Sequence, residues 1–72
     1  MTREERQYLR EFGATLKDAR KRRKITQGQL YARSGICQNS ISDYERGRCS
    51  PTLLKLHRLA KGLGCDVWDL LP

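Results

Sequence analysis

The sequence predicts an all-α fold, a compact bundle of four to five short helices, and three observations carry that expectation. Apolar residues recur three and four positions apart along nearly the whole chain, the spacing of one helix face. Hydroxyl and Asp residues followed three positions later by an acid or amide mark repeated helix starts, and glycines mark the stops. Strand-like alternation is convincing nowhere.

The first helix opens on a capping box at Thr2-Arg3-Glu4-Glu5, with a hydroxyl at the N-cap and a carboxylate three residues on. Tyr8, Leu9, Phe12, Leu16 and Ala19 then share one face of a helix over about residues 3–23. Gly13 interrupts it at a cost of about 1 kcal/mol against alanine. Either the helix bends there, or only the part after Gly13 docks firmly. Thr26 and Gln29 form a second capping box, and Gly35 ends the second helix. The third begins near Gln38, turns Ile41, Tyr44 and Glu45 inward and stops at Gly47. For the fourth, Ser50 is the expected N-cap and Pro51 the first helical residue, where its missing N–H costs nothing. Leu53, Leu56, Leu59, Ala60 and Leu63 make its apolar face, and Gly64 ends it. Asp66, with Asp69 three residues on, caps a short fifth helix carrying Val67, Leu70 and Leu71.

At 72 residues the chain makes one domain, with no room for both a core and a catalytic pocket. Fifteen Lys and Arg face eight acids, a net charge of +7. That balance favours a polyanionic partner, of which nucleic acid is the commonest. A membrane surface is the rival, and plain solubility the bland alternative. Cys37, Cys49 and Cys65 form no C-x-x-C pair, and His57 is not spaced as a zinc ligand, so no metal is expected. The cysteines read as free thiols of a reducing cytoplasm. No apolar stretch approaches 18 residues and no signal-peptide pattern opens the chain, so a cytoplasmic protein is expected. There is no nucleophile–base pair, phosphate loop or other sign of an enzyme, a cofactor or a small-molecule ligand.

A helix, a break at Gly35 and a second helix give residues 27–46 the length and punctuation of a helix-turn-helix. At "LKDARKRRKITQGQL", "SGICQNSISDYERG", "SPTLLKLHRLAKGLG" and "DVWDLL" the sequence resembles the lambda repressor and Cro-like helix-turn-helix family, also called the xenobiotic response element family. The match runs from about Phe12 to Leu71 and includes the Thr-Gln start of helix two and the Ile-Ser-x-x-Glu-x-Gly pattern of helix three. Residues 12–72 are thus expected to be the DNA-binding domain, and residues 1–11 an extension that continues helix one.

The resemblance implies roles for particular residues. Helix three is expected in the major groove, with Gln38, Asn39, Ser42 and Asp43 at base edges. Gln and Asn suit adenine N6 and N7, and Asp can accept from cytosine N4. Asp43 either reads a cytosine or turns to Arg46 or another partner. Gln27 is expected at a phosphate, helped by the helix dipole. Ser40, Arg46 and Arg48 are further phosphate candidates, although Ser40 serves its own helix equally well. Arg20 and Glu45 match a partly buried family ion pair, with Arg20 also offering an edge to phosphate. The run from Lys17 to Lys24 circles helix one and reads mostly as general attraction.

Two departures stand out. Tyr31 occupies a position that is usually small in the family, so either it swings outward or the helices separate. Cys37 replaces the usual hydroxyl cap of helix three, and its thiol is a weak acceptor. Family members bind two-fold operators as dimers, so a homodimer on double-stranded DNA is expected. Leu54, Trp68 and Leu71 are the expected dimer surface, with Tyr8 and Leu9 second. Trp68 folding over the core is the alternative. The expected function is sequence-specific transcriptional regulation, most simply repression of phage or mobile-element type. An antitoxin that also binds its own promoter is the alternative from another class, and a basic amphipathic membrane-surface peptide a third.

Overall fold

The computed structural model describes residues Met1–Pro72. Four α-helices, α1 (Arg3–Arg22), α2 (Gln27–Ser34), α3 (Gln38–Glu45) and α4 (Leu53–Leu63), precede a single 3-10 turn at Val67–Leu70. The all-α expectation is met, with the fifth element reduced to that turn.

Local chemistry fixes the helix ends. The Thr2 hydroxyl accepts from the Glu5 N–H at 3.0 Å, and the Thr2 N–H donates to the Glu5 carboxylate at 2.7 Å. Thr26 and Gln29 repeat the arrangement at 3.0 and 2.7 Å. Each box satisfies donors that a helix start leaves without intrahelical partners. Gly35 ends α2 in the left-handed conformation, φ 74°, and donates its N–H to the Tyr31 carbonyl at 2.8 Å. That backbone geometry sets the angle at which α3 leaves.

The start of α4 corrects the sequence-based expectation. Thr52, not Ser50, is the N-cap: its backbone is extended and its hydroxyl accepts from the Lys55 N–H at 3.3 Å. Pro51 lies outside the helix, and the Ser50 hydroxyl donates to the Pro51 carbonyl instead. Both residues are good caps, and Thr52 takes the role. Leu53 is then the first helical residue and is 77% exposed rather than part of the buried face.

The core comprises Phe12, Leu16 and Ala19 of α1, Leu30 of α2, Ile41 and Tyr44 of α3, Leu59, Ala60 and Leu63 of α4, and Ile25, Ile36 and Leu70 from the connections and the final turn. Leu16, Leu30, Ile41, Leu59 and Leu70 are fully buried. Each such side chain contributes about 1.5–3 kcal/mol. α1 runs through Gly13 without a break. A side-chain carbon there would stand 2.4 Å from the Tyr44 carbonyl oxygen and 2.6 Å from that of Glu45. Glycine is what allows α1 to rest directly on the last turn of α3.

Candidate nucleic-acid interface

The inner edge of α3 is fixed to the body of the protein. Ile41 and Tyr44 are buried, and burial raises the Tyr44 phenol above its ordinary range. Glu45 lies against Arg20 of α1, with Nε 2.7 Å from Oε2 and Nη2 3.0 Å from Oε1. Arg20 Nη1 donates to the Ile25 carbonyl at 2.9 Å. Gln27, the first residue of α2, donates its side-chain amide to Glu45 Oε1 at 3.1 Å. One carboxylate therefore ties α1, α2 and α3 together. The hydrogen bond to Glu45 raises the Arg20 pKa above its already high ordinary value, against an opposing effect of burial. All three Arg20 nitrogens are engaged within the chain and the residue is 8% exposed, which leaves one N–H each on Nη1 and Nη2 for any further partner.

The outer edge of α3 is polar and open. Gln38 and Asn39 are exposed, and Ser42 and Asp43 half-buried. Gln38 sits beside the start of α2, where a side-chain carbon at Gly28 would lie 3.6 Å from its Oε1. Asp43 turns to Arg48 rather than Arg46: Arg48 Nη1 lies 3.6 Å from Asp43 Oδ1. The backbone reinforces this reach, since the Arg48 N–H donates to the Asp43 carbonyl at 3.0 Å. Arg46 is exposed and forms no ion pair.

At the head of α3, no backbone N–H caps onto the Cys37 thiol. Its sulfur meets the Ser40 hydroxyl at 3.2 Å. That contact, with the nearby N–H groups of Ser40 and Asn39, lowers the exposed thiol below its ordinary range. Ser40 thus serves its own helix in the free chain. Tyr31 swings outward, 51% exposed, and the two helices of the motif stay in contact.

Arg23 has a role that the sequence did not signal. Its Nε donates to the Leu63 carbonyl at the end of α4, and its Nη1 to the Ala19 carbonyl at 3.0 Å. It thereby joins the two helix ends and belongs to the scaffold, although it stands in a run of cations that looks uniform in sequence. Of the expected dimer surface, Leu54 is 70% exposed and Trp68 81%, so Trp68 does not fold over the core. Leu71 is half-buried. No three His, Cys, Asp or Glu residues converge as a metal site would require, and no helix is long and apolar enough to cross a membrane.

The comparisons with known proteins agree with this fold. A helix-turn-helix domain family matches residues 11–70. An uncharacterized HTH-type transcriptional regulator, y4dJ of Sinorhizobium fredii, is 40% identical over 59 residues, covering 82% of this chain and 77% of that protein. The immunity repressor protein of Bacillus phage phi105 is 38% identical over 55 residues, which cover 76% of this chain and 38% of the repressor. Among solved structures, the restriction-modification controller protein C.AhdI of Aeromonas hydrophila superimposes with a TM-score of 0.85 at 27% identity. That match covers 88% of this chain and 96% of the controller.

Proposed function

This chain belongs to the helix-turn-helix domain family, as a lambda repressor-like transcriptional regulator rather than an enzyme, and from that premise we propose that it is a repressor that binds a two-fold operator as a homodimer. In this reading α3 enters the major groove, where each base pair presents a distinct pattern of donors and acceptors. The observation that carries it is the division of α3 into two edges. Ile41, Tyr44 and Glu45 hold the inner edge rigidly, while Gln38, Asn39, Ser42 and Asp43 stand along the outer one.

Gln38 and Asn39 read adenines through their amides, and Asp43 accepts from a cytosine N4. When Asp43 turns to the base it releases Arg48, which moves to a phosphate. Arg46, Ser40 and the α2 start at Gln27 complete the phosphate set. At Gln27 the helix dipole and first-turn N–H groups favour an anion even while its side chain rests on Glu45. Arg20 is left out of that set because it is only 8% exposed and each of its nitrogens already serves Glu45 or the Ile25 carbonyl. The exposed Leu54 and Trp68, with Leu71, form the dimer surface. Repression follows from occupying an operator over a promoter in the bacterial or phage-infected cytoplasm.

Selection of bound duplexes from a random pool tests the reading. Recovery of a palindrome with half-sites about one helical turn apart supports it. Recovery of no shared sequence rejects it. On the selected site, Arg48→Ala is expected to weaken binding to all sequences alike and to lower the salt slope by about one unit.

A further inference from the structure

Ten residues precede the region matched by the family, and from Arg3 onward they form the first turns of α1. Their charges are sorted by helix edge. Residues seven apart stack nearly two turns along a helix, so the line 6, 13, 20 places Arg6 above Gly13 and Arg20, two residues of α1 that touch the end of α3. Arg3, Arg10 and Lys17 form the adjoining line, three or four residues from the first, and all are exposed. Glu4, Glu11 and Asp18 form a third line with the same spacing, turned to the far side of the helix from α3. Glu5 is held in the Thr2 capping box. The segment holds three arginines against two glutamates, and the charges on its α3-side edge are all basic.

That edge continues into the exit of α3. A side-chain carbon at Gly47 would stand 2.9 Å from Arg10 Cα and 3.0 Å from Arg10 N, so the turn leaving α3 rests on the α1 backbone at Arg10. Arg46 and Arg48 flank that turn and are exposed. Arg3, Arg6 and Arg10 enter no ion pair. Arg10 donates only to the neutral Gln7 amide, at 2.8 Å. On a neighbouring face, Leu9 and Phe12 border a shallow apolar groove with Pro51, Leu56 and Leu71, and Phe12 is buried in the core.

We infer that residues 3–10 are a rigid phosphate-binding arm that carries the DNA contact past the exit of α3 and grips the backbone flanking each half-site. The inference rests on the operator reading above. Arginine, with its planar fork of donors, suits phosphate better than lysine would, but the arm supplies affinity rather than base preference.

The test uses the full chain and the duplex selected from the random pool, with long and with trimmed flanks. Arg3→Gln, Arg6→Gln and Arg10→Gln together are expected to lower the slope of log affinity against log salt by about 2–3 units, near 0.9 per lost phosphate contact. The triple variant should also lose the advantage that wild type gains from long flanks, with base preference unchanged. The corresponding triple Lys variant should keep most of the slope, and circular dichroism should show equal helix content in all three proteins. A triple Gln variant of unaltered helicity with the wild-type slope and flank dependence overturns the arm and leaves the operator reading standing. A wild-type chain that selects no duplex overturns both.

Discussion

Arg20 holds Glu45 in a two-pronged grip, Nε on Oε2 at 2.7 Å and Nη2 on Oε1 at 3.0 Å, with side-chain exposures of only 10% and 3%. Ion pairs on the surface contribute little, but removing one partner of a buried pair strands a charge without water. Glu45→Ala is therefore expected to cost about 3–5 kcal/mol of folding stability. Replacing both residues, Arg20→Met with Glu45→Leu, should cost clearly less, because no charge is left stranded. Urea unfolding of the three proteins measures the difference. A Glu45→Ala loss below about 1 kcal/mol would identify the pair as an ordinary surface contact.

Gly13 offers a second check, opposite in sign to helix propensity. In an exposed helix, Gly→Ala gains about 1 kcal/mol. Here the new carbon would lie 2.4 and 2.6 Å from two carbonyl oxygens of the α3 backbone, which cannot rotate away as a side chain can. Overpacking of this kind costs about 1–3 kcal/mol or more and outweighs the gain. Gly13→Ala is expected to lower the melting temperature by several degrees. A rise in melting temperature would mean that α1 and α3 are not in backbone contact.

These two residues also mark what the sequence made legible. Caps and stops are local, so Thr2 with Glu5, Thr26 with Gln29, Gly35 and Gly64 announced their helix ends directly. At "SPT" two hydroxyls compete for one helix start, and residue type alone does not separate Ser50 from Thr52. Leu53 shares the helix side of the buried Ala60, and its exposure at the first helical position is not visible in the spacing. Gly13 looked like a weakness because its reason lies some thirty residues away in the chain. Arg23 was hidden for the same cause: its partner is the last carbonyl of α4. The polar edge of α3 was legible as residue types, but the pairing of Asp43 with Arg48 depended on the turn at Gly47.

The head of α3 makes a prediction about pH. The Ser40 hydroxyl lowers the Cys37 thiol, whereas burial raises that of Cys65. A lowered pKa populates the thiolate at lower pH, and the thiolate is the nucleophile. As pH rises, Cys37 should therefore be alkylated first and Cys65 at distinctly higher pH. Ser40→Ala should move the Cys37 midpoint upward and leave that of Cys65 in place. Mass-resolved iodoacetamide labelling across pH follows both sites, and equal midpoints would refute the assigned contact.

The proposed dimer surface is tested by charge. Leu54 is 70% exposed in the single chain and beside it Leu53 is 77% exposed, an apolar pair that a second copy would cover. Leu54→Glu is expected to yield monomer in sedimentation and to weaken operator binding, with folding intact. An unaltered sedimentation mass would place the dimer contact elsewhere.

The account turns on α3 as the reading element, and one measurement reaches it directly: selection from a random duplex pool, carried out in parallel with wild type and with Gln38→Ala and Asn39→Ala. Each variant is expected to lose preference at one base position, repeated symmetrically in both half-sites, at a cost of about 1–3 kcal/mol, while the remaining positions stay as in wild type. Variants that select the same motif as wild type, position for position, would contradict the assignment of α3 to the bases.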